Sequence, residues 1–147
     1  METKDFTTAF MTDRSPMEAF DAINNVSDWW TGEIEGDSHK IGDEFTYRYK
    51  DLHYSKQKVT GFVPGKMVEW LVTDSNLNFI DDKTEWTGTR IVFHITEKDG
   101  KTELRFTHYG LVPQGECYDA CSNAWSGLIN HSLHELIVTG KPQVYVL

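Results

Sequence analysis

Hydrophobic and polar positions alternate over short stretches through most of this chain, and the period changes once, near its C-terminal end. Residues 3–11 alternate loosely, with Phe6, Thr8 and Phe10 on one side, and predict a strand. Ser15-Pro16-Met17-Glu18 then spells a helix start: a hydroxyl at the cap, proline at the first helical position, and glutamate three residues after the cap. That helix should reach about Asn24, with Phe20 and Ile23 on its inner face, and a short second helix should hold residues 26–30 before Thr31-Gly32. From Gly32 the period becomes two. Phe45, Tyr47 and Tyr49 alternate with Glu44, Thr46, Arg48 and Lys50, giving one aromatic and one charged face.

Further strands are predicted at residues 54–63 and 67–73, joined by a Pro64-Gly65 turn. Residues 74–87 read as a long loop rich in Asp and Asn. Residues 88–96 and 102–109 form a hairpin around Asp99-Gly100. After Pro113 the period is 3.6: Tyr118, Cys121, Trp125, Ile129, Ser132 and Leu136 share a stripe of a helix over residues 114–138, stopped by Gly140 and Pro142. At about 1.5 Å per residue such a helix is about 35 Å long, enough to cross a sheet. The expected class is α+β: an antiparallel sheet whose apolar face is covered by one long C-terminal helix. A curved sheet gripping a helix leaves room for a cavity between them.

The 147 residues suit one domain spanning 1–147, with no repeat or linker in between. The chain carries 23 acidic and 14 basic side chains, a formal charge of -9, and its 5 Trp, 6 Tyr and 8 Phe are too many for a disordered segment. The charge argues against a nucleic-acid partner. No apolar run is long enough for membrane insertion, and the N-terminal METKDFTTAF has no signal-peptide pattern, so the expected location is cytoplasmic. Cys117 and Cys121 stand four apart on the predicted helix. Cβ atoms so placed are about 5–6 Å apart where a disulfide wants about 3.5–4.5 Å, so two reduced thiols are expected.

The strings Ser15-Pro16-Met17-Glu18-Ala19-Phe20-Asp21-Ala22-Ile23, Trp29-Trp30, Gly42-Asp43-Glu44-Phe45, Val68-Glu69-Trp70, Thr89-Arg90-Ile91-Val92-Phe93, Leu104-Arg105-Phe106-Thr107-His108 and Ala124-Trp125 occur in an order and spacing that resembles the START-like helix-grip superfamily (SRPBCC). Within it, the chain resembles the branch named after the C-terminal domain of the activator of Hsp90 ATPase. The resemblance covers almost the whole chain. It implies a β-α-α-β6-α helix-grip fold, a curved antiparallel sheet wrapped around the C-terminal helix, often with a deep apolar cavity. It does not imply one function, because relatives include lipid carriers, receptors, cyclases and a co-chaperone.

The inward faces supply candidate ligand-binding residues: Tyr47, Tyr49, Trp70, Phe93, Phe106 and His108 from strands, and Cys121 and Trp125 from the helix. Filled cores are built from the same residue types, so alternation alone does not separate a core from a lining. Leu77, Phe79, Ile80 and Trp86 are apolar residues in the long polar loop; Phe79 and Trp86 are the lid candidates. Trp29 and Trp30 point about 100° apart, so one should pack in the core and the other, taken as Trp30, near the mouth. His108 is the one histidine expected to face inward, without an inward Asp or Glu to orient it as a base. His131, His134 and Glu135 spell H-x-x-H-E, which fits no zinc-helix signature, and no cofactor fingerprint occurs. The expected function is non-catalytic binding of a small apolar, aromatic or lipid-like ligand. The alternatives are a co-chaperone-like regulator with an Hsp90-type protein partner, and a cyclase or hydrolase using His108 and a tyrosine.

Overall fold

Seven strands make one antiparallel sheet in the order β1-β7-β6-β5-β4-β3-β2. In this computed structural model, residues 5–30 and 32–142 are described. The elements are β1 (Phe6–Thr12), α1 (Pro16–Asn24), a 3-10 turn (Val26–Asp28), β2 (Glu33–Gly36), β3 (Glu44–Tyr49), β4 (His53–Val63), β5 (Met67–Leu77), β6 (Arg90–Lys98), β7 (Lys101–Tyr109), α2 (Tyr118–Gly127), a π-helical turn (Leu128–Leu133) and α3 (His134–Thr139). Strands β2 to β7 follow one another as hairpins. β1 returns to the far edge, where Phe6 pairs with His108 and Phe10 with Leu104. The predicted strand start at Thr3 lies outside the described residues, and the short second helix predicted over residues 26–30 is a 3-10 turn ending at Asp28.

Local chemistry sets the connections. Ser15 Oγ accepts from the Glu18 amide at 3.1 Å while the Ser15 amide donates to Glu18 Oε1 at 3.2 Å, so α1 begins with the expected capping box. Asp99 and Gly100 both have positive φ, 52° and 80°. This double left-handed conformation is what a two-residue hairpin between twisted strands requires.

The sheet's inner face carries the alternating apolar residues. Phe45, Tyr47, Val68, Trp70, Val72, Ile91, Phe93, Ile95, Leu104 and Phe106 are all buried. α2, the π turn and α3 run on without a break, forming a 22-residue helix across that face. It starts at Tyr118, later than the periodicity suggested, because 114–117 are bound up in turns. Gly140, at φ 73°, ends it by donating its amide to Leu136 O at 2.8 Å.

Two expectations change. β5 continues to Leu77, so the long loop shrinks to 78–89. Asp74, Ser75 and Asn76 look like loop residues, yet Ser75 is buried opposite Ser55 and its hydroxyl bonds Thr87 Oγ1 at 2.8 Å. Cys117 and Cys121 are joined as a disulfide, not reduced, with Cα atoms 5.4 Å apart. The expectation assumed regular helix at both ends of the pair. Cys117 instead precedes the first turn, with ψ of -10°, and its Cα separation from Cys121 falls inside the range disulfides adopt.

Candidate functional site

The helix covers the sheet unevenly. At its C-terminal end α1 packs against α3, β5 and β6, and the interior there is filled. At its N-terminal end α2 stands off from the β3–β4 hairpin, and a cavity of about 410 Å³ opens between them. Its floor is Trp30, Tyr47, Trp86, Cys121, Trp125 and Leu128, all buried. Its rim is Tyr49 and Leu52 from the hairpin, Phe79 from loop 78–89, and Ala120, Asn123 and Ala124 from α2. Leu52 and Phe79 are 45% and 40% exposed, so the cavity is open to solvent on that side. Among the described residues, no Asp, Glu, Lys or Arg lines it.

The floor is an aromatic assembly with fixed angles. Trp86 and Trp125 are stacked, 5.8 Å between centroids and 8° between planes. Trp30 meets Trp125 edge-on at 5.5 Å and Tyr47 at 4.5 Å. Such edge-to-face and offset pairs each add about 0.5–1.5 kcal/mol beyond their area burial. Trp29, its neighbour in sequence, turns into the core, where its indole N–H donates to Ile23 O at 3.3 Å.

His108 lies behind this wall, fully buried, and organises it. The Trp125 indole N–H donates to His108 Nδ1 at 3.1 Å. Nδ1 is therefore unprotonated, and the ring's proton sits on Nε2, which donates to Thr89 Oγ1 at 2.8 Å. The Thr89 hydroxyl passes its own proton to Trp86 O at 2.6 Å. One relay thus ties both stacked tryptophans to β7. Burial pushes the His108 imidazole down from 6.5 to about 3, helped by the nearby His53, so the ring is neutral at ordinary pH.

His53, at the start of β4, does line the cavity, between rim and floor. Its ring stands edge-on to Trp86 at 4.6 Å and to Tyr47 at 5.1 Å. Nε2 is 3.2 Å from Ser55 Oγ, which also receives the Gln57 side-chain amide at 2.6 Å. Burial lowers its pKa to about 4. Both histidines are neutral, and among the described residues neither has a carboxylate partner.

Loop 78–89 is fastened to the start of the long helix by two glutamates. Glu85 accepts the amides of Glu116 and Cys117 at 2.7 and 2.9 Å. Glu116 accepts those of Asp81 and Asp82 at 3.1 and 3.0 Å. Each carboxylate occupies free donors on the other's segment, and the clamp fixes the loop that carries Phe79 at the rim and Trp86 in the floor.

Of the residues expected from sequence, Trp30, Tyr47, Tyr49, Phe79, Trp86, Cys121 and Trp125 come together around the cavity. Trp70, Phe93, Phe106 and His108 do not reach it. They are fully buried: Trp70, Phe93 and Phe106 interlock in the filled interior, and His108 lies behind Trp86 and Trp125. Leu77 belongs to the core and Ile80 packs partly against it. Sequence reasoning missed Leu52, His53, Ala120, Asn123, Ala124 and Leu128. The helix residues flank Cys121 and Trp125 at neighbouring positions and could have been read from that stripe. His53 was hidden because the inward positions that follow it, Ser55 and Gln57, are polar. Of the H-x-x-H-E segment, His134 packs its ring on Phe10 at 4.5 Å, and no group of three metal-ligating side chains is found among the described residues.

Residues 12–137 match the family of Activator of Hsp90 ATPase homolog 1-like proteins. Among solved structures, the fold is similar to the Aha1 dimer from Colwellia psychrerythraea, at 23% identity and TM-score 0.74, covering 94% of this chain and 98% of that one. It is also similar to Mll3558 from Rhizobium loti, at 15% identity and TM-score 0.70 over 92% and 98% of the two chains. A third is DynU16, from the dynemicin biosynthetic locus, at 15% identity and TM-score 0.62, covering 95% of this chain and 49% of that one. No curated protein matches the sequence. Among the described residues, no helix is long and apolar enough to cross a membrane.

Proposed function

This chain belongs to the Activator of Hsp90 ATPase homolog 1-like family, and on that premise we propose that it binds a small apolar or aromatic molecule in the cavity beneath α2, without transforming it. The observation that carries this reading is the cavity itself, about 410 Å³ of space walled by aromatic rings, next to an interior that is otherwise filled. Ligand pockets of about 300–1,000 Å³ with mainly apolar walls are the ordinary form of small-molecule sites. The chemistry supports binding over catalysis. General acid–base work wants a group titrating near the operating pH, whereas His53 and His108 are held at about 4 and about 3. The two hydrogen bonds of His108 also occupy both its ring nitrogens, which weighs against a cyclase or hydrolase built on it.

The test is an NMR titration of the chain with a panel of aromatic metabolites and lipids, beside Ala124→Trp, which fills the cavity from α2. Saturable shifts of the Trp30, Trp86 and Trp125 indole signals, lost in Ala124→Trp, are expected. No shift with any compound would sink the reading. The family also supports a second reading, regulation of an Hsp90-type ATPase. Stimulation of that ATPase that survives Ala124→Trp would favour it.

A further inference from the structure

We propose that the cavity selects an uncharged, flat ring system carrying one acceptor oxygen, such as a ketone or quinone, and that His53 donates a hydrogen bond to that oxygen from Nδ1. The inference rests on the cavity-binding reading above and adds the ligand's chemistry and the residue that reads it.

The argument starts two residues away, at Gln57. Its side-chain nitrogen can only donate, and it donates to Ser55 Oγ at 2.6 Å. Ser55 is fully buried, and the acceptor in reach of its own proton is His53 Nε2 at 3.2 Å. With Ser55 as the donor in that contact, Nε2 carries no proton, and the proposed tautomer of the neutral imidazole holds it on Nδ1. Nδ1 has no partner among the described residues, and the side chain lines the cavity. His53 is half-buried beside the open side of the cavity, so a ligand oxygen would take the place of water at this donor.

Charge and size narrow the ligand further. With no Asp, Glu, Lys or Arg among the described lining residues and both histidines neutral, a charged ligand would lose its water and gain no counterion from them. An apolar cavity of about 150 Å³ takes one benzene. By that proportion 410 Å³ holds about 16 non-hydrogen atoms, or three fused rings. The edge-on and stacked rings of Trp30, Trp86 and Trp125 favour flat aromatic surfaces over flexible chains.

Fluorene, fluorenone and fluorenone carboxylate separate these terms. They share one ring system; fluorenone adds an acceptor oxygen, and the carboxylate adds a charged group, with fluorenone carboxamide as its uncharged control of the same size. Binding to the full chain is measured by calorimetry at pH 7. Fluorenone should bind about fivefold to tenfold tighter than fluorene, the worth of one net hydrogen bond, and the carboxylate about 100-fold weaker than fluorenone. In His53→Phe the two neutral compounds should bind alike. Ser55→Ala keeps the ring but frees its tautomer, so it should shrink the preference. Long-range proton–nitrogen NMR of the unaltered chain should show the His53 proton on Nδ1, with a shift on adding fluorenone and none on adding fluorene.

Equal affinity for fluorene and fluorenone, a preference that persists in His53→Phe, or a proton on Nε2 would overturn the role of His53 while leaving cavity binding intact. Tight binding of the carboxylate would overturn the selection against charge. If none of the three binds, the cavity-binding reading fails together with this one.

Discussion

The two ends of the interior are made from the same kinds of residue and come out differently. In the filled part of the interior, Trp29, Trp70, Phe93 and Phe106 interlock edge to face, with Trp70 and Phe93 at 5.0 Å and Phe93 and Phe106 at 5.3 Å. Under the N-terminal half of the long helix, Trp30, Tyr47, Trp86 and Trp125 are as aromatic and as well fixed, yet they surround space. The difference lies in the cover. α1 packs on β5 and β6 beside the first group, while a clamped loop and the thin Ala120 and Ala124 face of α2 bridge the second. Aromatic content does not decide between a core and a lining. The bulk of the element placed opposite does.

The sharpest test of that contrast is truncation. Trp70→Ala in the filled half should cost about 3–5 kcal/mol in a denaturant melt, because the hole cannot collapse. Leu52→Ala, on the open rim, should cost less than about 1 kcal/mol. Equal losses at the two positions would remove the distinction.

Acid probes both halves at once. The unfolded chain takes up each histidine proton near pH 6.5, whereas the folded chain resists until about 4 at His53 and about 3 at His108. Between those values the unfolded state binds more protons. Stability present above pH 6.5 is therefore lost as the pH falls through that window, by about 2–3 kcal/mol for each histidine near pH 4. His53→Gln should remove one share of the slope and leave that of His108. A stability that stays flat from pH 7 to pH 4 would show that the histidines are not held neutral.

The smallest expected effect is at the clamp. Glu85→Gln should cost about 1 kcal/mol or less, but amide exchange over 81–87 and 116–117 should quicken while the amides of β6 stay protected. A loop whose exchange does not change is held by Trp86 alone.

Much of the fold was readable because both of its signals are periodic. Every strand position expected to face inward is buried except Tyr49, which sits half-buried at the cavity rim. β2 was only implied by the strand count, since Glu33-Ile34-Glu35-Gly36 is too short to establish alternation. The candidate site was half readable. Periodicity gives the direction a side chain points, so it found Tyr47 and Trp125. It says nothing about what lies opposite, so it could not separate Trp30 and Tyr47 from Trp70 and Phe93. Interactions far apart in sequence, such as Glu85 with Glu116 or His108 with Trp125, leave no local trace.

The π turn at Leu128–Leu133 has a consequence for how this helix can be compared with others. It absorbs one residue more than an α-turn would, so α3 resumes with its buried side, Leu136 and Ile137, still toward the sheet. Losing one residue there would restore a plain α-helix and leave both flanks in phase, whereas a loss within α2 or α3 would turn every later side chain by about 100°. The segment is an expansion joint in the sequence. A related chain with a straight helix would line up with this one across a single gap, and residue-by-residue correspondence on the far side of Leu133 depends on placing that gap inside the turn.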